Sequence, residues 1–245
     1  IKHTKVARKW EKQGKQLNSI RINNDYITLY YEIPKKATAG TRVLGADQGQ
    51  TTCLSLSDNQ VTKTNKHGYD LNKIQDVLCR RKKGSKGFHR AQDHRKNYIN
   101  WSINQLNFND VKELRLEKVI NIRKGKRSSR KLSHWTYPLI KNKLAMVAED
   151  KGFAFVEQDC KFRSQRCSQC GWTHESNRFK KTFACTNTVC GMSTDSDVNS
   201  ACNHEVDLVE IPKAVWRERW NRSTGFFWLK DSIVRGQEST VPAVK

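Results

Sequence analysis

The sequence predicts an α/β domain with a mixed sheet, helices and one inserted cysteine-rich loop. Short runs of β-branched and aromatic residues, which are typical of strands, alternate with longer segments of helical character. Residues that end such segments stand at their boundaries, namely Pro34, Gly84 and Gly152. The order of segments is strand, strand, helix, strand, helix, strand, insert, helix, which is typical of an α/β domain.

Five segments are predicted to be strands. The first closes a basic segment at the start of the chain, and the next two flank a glycine-rich bend. The fourth is a short apolar run that suits a buried strand. In chain order the sequences are ITLYYEIP, the two halves of GTRVLGADQGQTTCLSLSD, VKELRLEKVI and FAFVEQD.

Three helical regions are predicted from apolar spacing and from the residues that begin or end them. These are residues 70–106 with an interruption near Gly84 and Gly87, the segment YPLIKNKLAMVAEDKG with Pro138 in its first turn and Gly152 as its stop, and a helix from about Val198 to Val209. The segment NIRKGKRSSRKLSHW is predicted to be a basic loop. In the tail, residues 211–245, aromatic residues come early, and the last stretch is expected to be mobile.

The composition indicates a polyanionic partner. Lys and Arg number 46 against 24 Asp and Glu, which gives a net charge of +22. Such an excess points to nucleic acid or a membrane surface. No apolar run approaches the roughly 18 residues of a membrane span, and no amphipathic anchor or secretory signal accompanies the charge. We therefore expect a nucleic-acid partner, no membrane, and a cytoplasmic location.

Three acids stand in positions that need explanation. Asp47, in VLGADQGQ, and Glu117, in LRLEKV, lie inside apolar strands, where acids are disfavoured. Each requires a partner, either a metal ion or one of the many Lys and Arg side chains. Asp197, in DSDVNSA, suits a helix N-cap or first turn, or a metal site. Carboxylates from three separate elements are what two Mg2+ ions need in order to cleave a phosphodiester bond.

Four clustered cysteines predict one structural zinc ion. They form a C-x2-C pair and a C-x4-C pair, and four thiolates leave no open position for catalysis. The predicted ligands are Cys167, Cys170, Cys185 and Cys190. Gly171 and Gly191 follow the two pairs and allow the tight turns of a zinc ribbon. The alternatives are His174 in place of one cysteine, or two disulfides, which a cytosolic protein disfavours.

Two basic stretches are predicted to contact phosphates, although each could also be a solvated charged face. Trp101, Trp135 and Tyr137 lie near them and could stack on unpaired bases or pack in the core. Trp101 is expected in the core, while Trp135 is assigned to nucleic acid. The predicted nucleic-acid contacts are Arg80, Arg81, Lys82, Lys83, Lys86, Arg90, Arg95, Lys96, Arg123, Lys124, Lys126, Arg127, Arg130, Lys131 and Trp135.

Three sequence blocks in a fixed order carry a family resemblance. They are GADQGQTT, then LRLEKVINIRKGKRSSRKLSHWTYPLIKNKL, then SQRCSQCG followed by DSDVNSACN. Over roughly residues 25–207 the chain resembles the RuvC-like nuclease half of TnpB-type proteins, which are transposon-encoded RNA-guided DNA nucleases, and of type V CRISPR effectors. The resemblance implies an RNase H-like (RuvC) fold with Asp47, Glu117 and Asp197 as the metal-binding acids. In the D-x-N motif of the third block, Asp197 matches and Asp195 does not.

The resemblance also implies the partners and the domain organisation. Guide RNA and target DNA, single-stranded at the active site, are the expected partners, with two Mg2+ and one structural Zn2+ as cofactors. The host implied by the resemblance is a prokaryotic or phage-infected cell. The chain departs from the family at Ala46 and Gln50, and at its front, where a short segment stands in place of the wedge and recognition regions. The expected divisions are 1–40 as a β-rich remnant of a wedge-like domain, 41–159 with 192–210 as the nuclease domain, 160–191 as the zinc ribbon, and 211–245 as a tail.

The functional prediction is an RNA-guided DNA endonuclease, or its nuclease module, that hydrolyses phosphodiester bonds. Because the chain starts at Ile1 rather than Met, we expect it to begin partway into a longer product. A second copy or a separate chain could supply the front half. The alternatives are a catalytically silent nucleic-acid-binding protein and an unguided RNase H-like transposase or resolvase. The complete set of three acids favours an enzyme over the silent alternative.

Overall fold

The computed structural model describes residues 4–34, 40–120 and 129–236. The chain divides into two compact units, Ile1–Ala37 and Thr38–Lys245. No helix in these described ranges has the length and apolar character that a membrane crossing requires.

The first unit contains one helix and one β-hairpin. Helix α1 is Lys5–Gln13, and it begins where the Thr4 hydroxyl accepts a hydrogen bond from the backbone N–H of Ala7. Strands β1 (Lys15–Ile22) and β2 (Ile27–Glu32) pair antiparallel. The strand predicted to stop at Pro34 is therefore present, but α1 makes the unit less β-rich than expected.

The second unit is built on a four-stranded mixed sheet, as the sequence predicted. Its strand order is β4-β3-β5-β6, with β3, β5 and β6 parallel and β4 antiparallel at one edge. The ranges are β3 Arg42–Asp47, β4 Ser55–Leu56, β5 Val111–Lys118 and β6 Ala154–Asp159. Because β3, β5 and β6 run in one direction, their carboxyl ends share one edge of the sheet.

Five helices accompany this sheet. They are α2 Leu71–Arg80, α3 Lys86–Asn104, α4 Arg130–His134, α5 Tyr137–Lys151 and α6 Ser196–Glu205. The interruption predicted near two glycines lies at Gly84, whose φ of +80° suits a turn, whereas Gly87 is inside α3. Helix α5 ends at the left-handed Gly152 as predicted. Helix α6 begins earlier and ends earlier than the expected 198–209.

The basic segment 121–135 is not wholly a loop. Residues 129–135 are described, and they include α4, which begins where the Ser129 hydroxyl accepts a hydrogen bond from the N–H of Leu132. The remaining residues of that segment, 121–128, lie outside the described ranges.

The main core is formed by the sheet and its helices, with Leu44, Leu114, Ile99 and Ile140 among its fully or almost fully buried members. Helix α6 packs directly on β3 at Gly45. A Cβ atom at this glycine would stand 1.9 Å from the carbonyl oxygen of Ala201, so no larger residue fits. This close approach brings the side chains of α6 to the end of β3.

The cysteine-rich insert and the C-terminal segment form smaller sheets. Strands β8, β9 and β10 make one antiparallel sheet, and β7, β11 and β12 make another. The elements are β7 Trp172–Thr173, β8 Arg178–Phe179, β9 Thr182–Ala184, β10 Ser193–Asp195, α7 Lys213–Arg217, α8 Trp220–Ser223, β11 Phe226–Trp228 and β12 Ile233–Arg235. The C-terminal segment is joined to the insert through the pairing of β11 with β7. The stretch 237–245 lies outside the described residues.

Candidate active site

Asp47 ends strand β3 and is 8% exposed. Its carboxylate accepts a hydrogen bond of 2.7 Å from the hydroxyl of Ser200 on α6. Burial raises the pKa of Asp47 to about 7, and the nearby charge of Asp197 adds to this, while the Ser200 hydrogen bond acts in the opposite direction. A cation bound beside the Asp47 carboxylate would therefore stabilise its ionised form.

Glu117 lies on the neighbouring strand β5, one residue beyond the pairing of Ala46 with Leu116. Its Oε1 accepts a hydrogen bond of 3.1 Å from the backbone N–H of Gln48, the residue after Asp47. Burial, together with the charge of Asp47, raises the pKa of Glu117 to about 8. The parallel register of two strands thus sets two buried carboxyl groups side by side, and each opposes ionisation of the other.

Asp197 stands in the first turn of α6, with a side chain that is 6% exposed. The N-cap of this helix is Asp195, whose Oδ1 accepts from the N–H groups of Asp197 at 2.8 Å and Val198 at 3.2 Å. The capping role considered for Asp197 thus belongs to Asp195, and the Asp197 carboxylate is directed to other partners. Its charge contributes to the raised pKa of both Asp47 and Glu117.

The partners of Asp197 are two cations from the cysteine-rich insert. Arg178 pairs with its Oδ1 at 3.2 Å, and Lys181 forms a short ion pair with its Oδ2. The loop between β8 and β9 is fixed to α6, because the N–H of Ser196 donates to the carbonyl oxygen of Lys181 at 2.9 Å. Sequence reasoning missed both cations, since nothing in NRFKK distinguishes them from the other basic residues of the chain.

A histidine that the sequence did not single out also reaches this site. His204 lies near the end of α6 and is fully buried. A carboxylate oxygen of Asp47, a carboxylate oxygen of Glu117 and a ring nitrogen of His204 all lie within 4.8 Å of one another. Asp197 is not part of this group. The structure therefore brings two of the three predicted acids into a tight cluster, with Asp197 beside it and paired with the two cations.

The four predicted zinc ligands come together. The Sγ atoms of Cys167, Cys170, Cys185 and Cys190 all lie within 4.8 Å of one another. The Cys167–Cys190 and Cys170–Cys185 Sγ distances are both 3.7 Å. Four sulfurs at about 2.3 Å from a tetrahedral zinc ion are separated by about 3.8 Å, so this spacing fits the ion. Each of the eight cysteines is a free thiol, and His174 does not join the cluster.

The turns beside the cysteine cluster have the predicted glycine geometry. Gly171 and Gly191 adopt φ values of +80° and +62°, in the left-handed region. A Cβ atom at Gly171 would also approach the carbonyl oxygen of Trp228 to 2.9 Å. Hydrogen bonds among the four thiols lower the pKa of Cys170 and raise those of Cys167 and Cys185, so one sulfur of the cluster gives up its proton ahead of its neighbours.

The first basic stretch is mostly exposed and spans the end of α2, the following turn and the first part of α3. Its exposed cations are Arg80, Arg81, Lys82, Lys83, Lys86, Arg90 and Lys96. Arg95 is different, because it is 7% exposed and donates a 2.6 Å hydrogen bond to the carbonyl oxygen of His134. This corrects the prediction that groups Arg95 with the phosphate-binding side chains.

The second basic stretch is described only in part. Arg123, Lys124, Lys126 and Arg127 lie outside the described residues. Arg130 donates to the carbonyl oxygen of Arg81 at 2.6 Å, and Lys131 pairs with Asp76 at 2.6 Å, so both are engaged with α2 and the turn after it.

The burial of Trp101 and Trp135, the two tryptophans near these stretches, is the reverse of the predicted one. Trp135 is 8% exposed and belongs to the main core, whereas Trp101, expected in the core, is 38% exposed. Trp135 therefore stabilises the α4–α5 connection and does not present a face for base stacking. Of the two indoles, the one that faces solvent is that of Trp101.

Comparison with known proteins identifies relatives. Residues 137–204 match the family described as Cas12f1-like, TNB domain. The CRISPR-associated endodeoxyribonuclease Cas12f1 of Sulfoacidibacillus thermotolerans is 33% identical over 98 residues, which is 40% of this chain and 22% of that protein. Cas12f1 in a cryo-EM structure with sgRNA and target DNA has a TM-score of 0.50 at 19% identity, covering 73% of this chain and 41% of its own. A CRISPR–Cas12f ternary complex gives a TM-score of 0.46 at 19% identity, covering 76% and 43%.

The chain spans less than half the length of each of these relatives. At 19% identity the solved Cas12f1 structure shows a shared fold, a mixed α/β architecture. The family match falls on α5, β6, the cysteine-rich insert and α6, which include Asp197 and the four clustered cysteines. These similarities agree with the resemblance to type V CRISPR effectors, because residues 137–204 are similar to the Cas12f1-like TNB domain family and 98 residues of the chain are similar to Cas12f1.

Proposed function

We propose that this chain is the RNase H-like (RuvC) nuclease module of an RNA-guided DNA endonuclease that hydrolyses phosphodiester bonds with two divalent ions. The observation that carries the proposal is the cluster of Asp47 and Glu117, from β3 and β5, with Asp197 of α6 beside it. The ends of two parallel strands and the start of a helix packed across them supply these carboxylates. A nuclease of this kind needs acids that converge from separate elements.

The buried acids fit divalent ions better than they fit side-chain partners. Burial raises the pKa of both Asp47 and Glu117 although the charge of Arg178 lowers both, which supports a further cation at these carboxylates. Carboxylate oxygens are the preferred ligands of Mg2+. Two such ions, when bound, activate a water molecule and stabilise the charge of the departing oxygen. Asp47 and Glu117 would hold one ion, and Asp47 with Asp197 the other.

The remaining groups of the site position the acids and attract phosphate. The Ser200 hydroxyl fixes one oxygen of Asp47, and the N–H of Gln48 fixes one oxygen of Glu117. Arg178 and Lys181 are each partly exposed, with side chains 33% and 47% accessible. When an ion binds Asp197, these cations become available to a phosphate of the scissile strand. Their loop belongs to the proposed zinc ribbon, residues 160–191, so a structural zinc would order the groups that face the substrate.

Guide RNA and target DNA are the proposed partners. The solved relative is described as a complex of Cas12f1 with sgRNA and target DNA. In this chain the exposed basic residues from Arg80 to Lys96 offer a phosphate-binding surface that carries no base-specific readout. This proposal also allows a second copy or a separate chain to contribute to guide and target binding. A cytoplasmic site of action in a prokaryotic cell follows from this proposal.

The first test is to purify the chain from cells at moderate salt and to sequence the RNA that accompanies it. A discrete, structured RNA species is the expected result, and cleavage of matching DNA with Mg2+ is the next measurement. Asp47→Ala, Glu117→Ala and Asp197→Ala should each abolish cutting while DNA binding persists. Asp195→Asn is the matched control, since asparagine still caps α6 and cutting should continue.

Two other outcomes separate the alternative functions. Cutting that depends on the three acids but needs no RNA would indicate an unguided RNase H-like nuclease or transposase. Nucleic-acid binding with no cutting under any divalent ion, in the presence of the RNA, would indicate a catalytically silent protein. Normal cutting by any one of the three alanine variants would remove that residue from the proposed site.

A further inference from the structure

The imidazole of His204 is a buried polar group without a hydrogen-bond partner. Its exposed fraction is 0%, and among the described residues neither ring nitrogen finds a donor or acceptor. An unsatisfied buried polar atom costs about 1–3 kcal/mol, so folded proteins rarely retain one without a function. A core histidine without a ligand role would be expected to hydrogen-bond a backbone carbonyl or a neighbouring side chain.

The ring of His204 lies beside the carboxyl groups of Asp47 and Glu117, and burial opposes ionisation of both groups. A nitrogen of His204 and carboxylate oxygens of Asp47 and Glu117 lie within 4.8 Å of one another. No hydrogen bond joins the ring to either acid in the described structure. Two carboxylate oxygens and one imidazole nitrogen at these distances form the donor set of a metal site.

The helix explains why these groups meet. Asp197, Ser200 and His204 are spaced by three and four residues, so they form one stripe along α6. Ser200 bonds Asp47, which places the middle of this stripe at the end of β3. Asp197 and His204 are seven residues apart, or about 10 Å along the helix axis. This separation is consistent with a cluster that includes His204, Asp47 and Glu117 but not Asp197.

We propose that His204 is a nitrogen ligand to the divalent ion held by Asp47 and Glu117, and that it biases this position toward transition-metal ions such as Mn2+ over Mg2+. The proposal rests on the proposed function, because it assumes that these acids bind a divalent ion. Imidazole nitrogen is a poor ligand for Mg2+ but suits first-row transition metals, which bind N/O sites in a graded order. Burial and the charge of Arg163 lower the pKa of His204 to about 3, which leaves the ring neutral at pH 7.

The direct test is pulsed EPR of Mn2+ bound to the full chain, after one equivalent of Zn2+ has been added to fill the cysteine cluster. Protein with natural histidine should show modulation from a directly bound 14N nucleus, and [15N]histidine labelling should replace it with the 15N signal. This measurement uses the wild-type chain, so it does not depend on whether a variant folds. Bound Mn2+ without a histidine nitrogen would overturn the proposal.

Variants assign the signal to one residue. His204→Gln should remove the nitrogen modulation and weaken Mn2+ binding about tenfold or more, with Mg2+ affinity, measured by competition, changed less than about threefold. His174→Gln is the matched control, because His174 lies in the insert and its Nδ1 only accepts from the N–H of Ser176. Equal weakening for both metals would overturn the claimed selectivity.

Asp47→Asn separates this proposal from the proposed function. It should abolish Mn2+ binding at this position. Mn2+ binding that survives Asp47→Asn would contradict the metal site itself, and with it both proposals. Mn2+ binding that requires Asp47 but shows no histidine nitrogen would contradict the role of His204 alone.

Discussion

The pH dependence of stability offers a quantitative test of the buried carboxyl pair. Burial raises the pKa of Asp47 from 3.8 to about 7. Between pH 3.8 and about pH 7, this carboxyl group is protonated to a larger extent in the folded protein than in the unfolded chain. Stability therefore falls as pH rises through this window. Asp47→Asn removes the ionisation but keeps an oxygen that can accept from Ser200.

The size of the effect follows from the change in pKa. At about 1.4 kcal/mol for each pH unit, a rise from 3.8 to about 7 corresponds to about 4 kcal/mol. The free energy of unfolding of Asp47→Asn, relative to wild type, should increase from pH 4 to pH 7 and then level off. Glu117 acts in the same direction, because the substitution removes the charge that raises its pKa. Asp47→Asn should thus be the more stable protein at pH 8 when no divalent ion is added.

The assay is urea unfolding of zinc-loaded protein in Mg2+-free buffer at several pH values. Asp207→Asn, which neutralises a carboxylate whose side chain is 84% exposed, controls for loss of a charge as such and should change stability by less than about 1 kcal/mol. Addition of Mg2+ at pH 8 should stabilise the wild-type chain and leave Asp47→Asn unchanged. A difference between Asp47→Asn and wild type that does not vary with pH would refute the reasoning.

Three further perturbations test other contacts. Lys181→Ala removes a cation that competes for Asp197, so Mg2+ binding followed by calorimetry should tighten by about two- to fivefold; weaker binding would mean that Lys181 assists the ion. Cys185→Ser should lose the bound zinc, about one equivalent, and lower the melting temperature, whereas Cys160→Ser, at an exposed thiol outside the cluster, should retain the metal. Gly45→Ala forces a Cβ atom to within 1.9 Å of a backbone oxygen of α6 and should cost at least about 2 kcal/mol in urea unfolding; an unchanged midpoint would show that the helix can move away without loss.

The sequence by itself determined the elements and the metal-binding residue types. Strand β5 and helix α5 follow from local patterns, because apolar spacing, a first-turn proline and a terminal glycine act within a few residues. The four cysteines are close in sequence, so their spacing alone predicts a shared metal site. Asp47 and Glu117 could be singled out because an acid in an apolar strand is disfavoured without a partner.

Only the tertiary structure decided which side chains surround those acids. Ser200 and Asp47 are 153 residues apart in sequence, and no local pattern predicts their hydrogen bond. The same holds for Arg178 and Lys181, which are two among 46 Lys and Arg until the insert folds against α6. His204 acquires significance only when α6 packs on β3 at Gly45.

Burial was the other property that required the fold. Arg95 and Trp135 are of residue types that are common in nucleic-acid-binding surfaces, yet both are buried. Trp101, in contrast, faces solvent. On an amphipathic helix a shift of one position turns a side chain by about 100°, so the sequence can misplace a residue between core and surface. In the C-terminal segment, strand β11 likewise gains a partner from β7, more than 50 residues earlier, and no local pattern predicts that pairing. A site whose residues are neighbours in the sequence can therefore be predicted from the sequence. Contacts between distant segments depend on the packing of the whole unit.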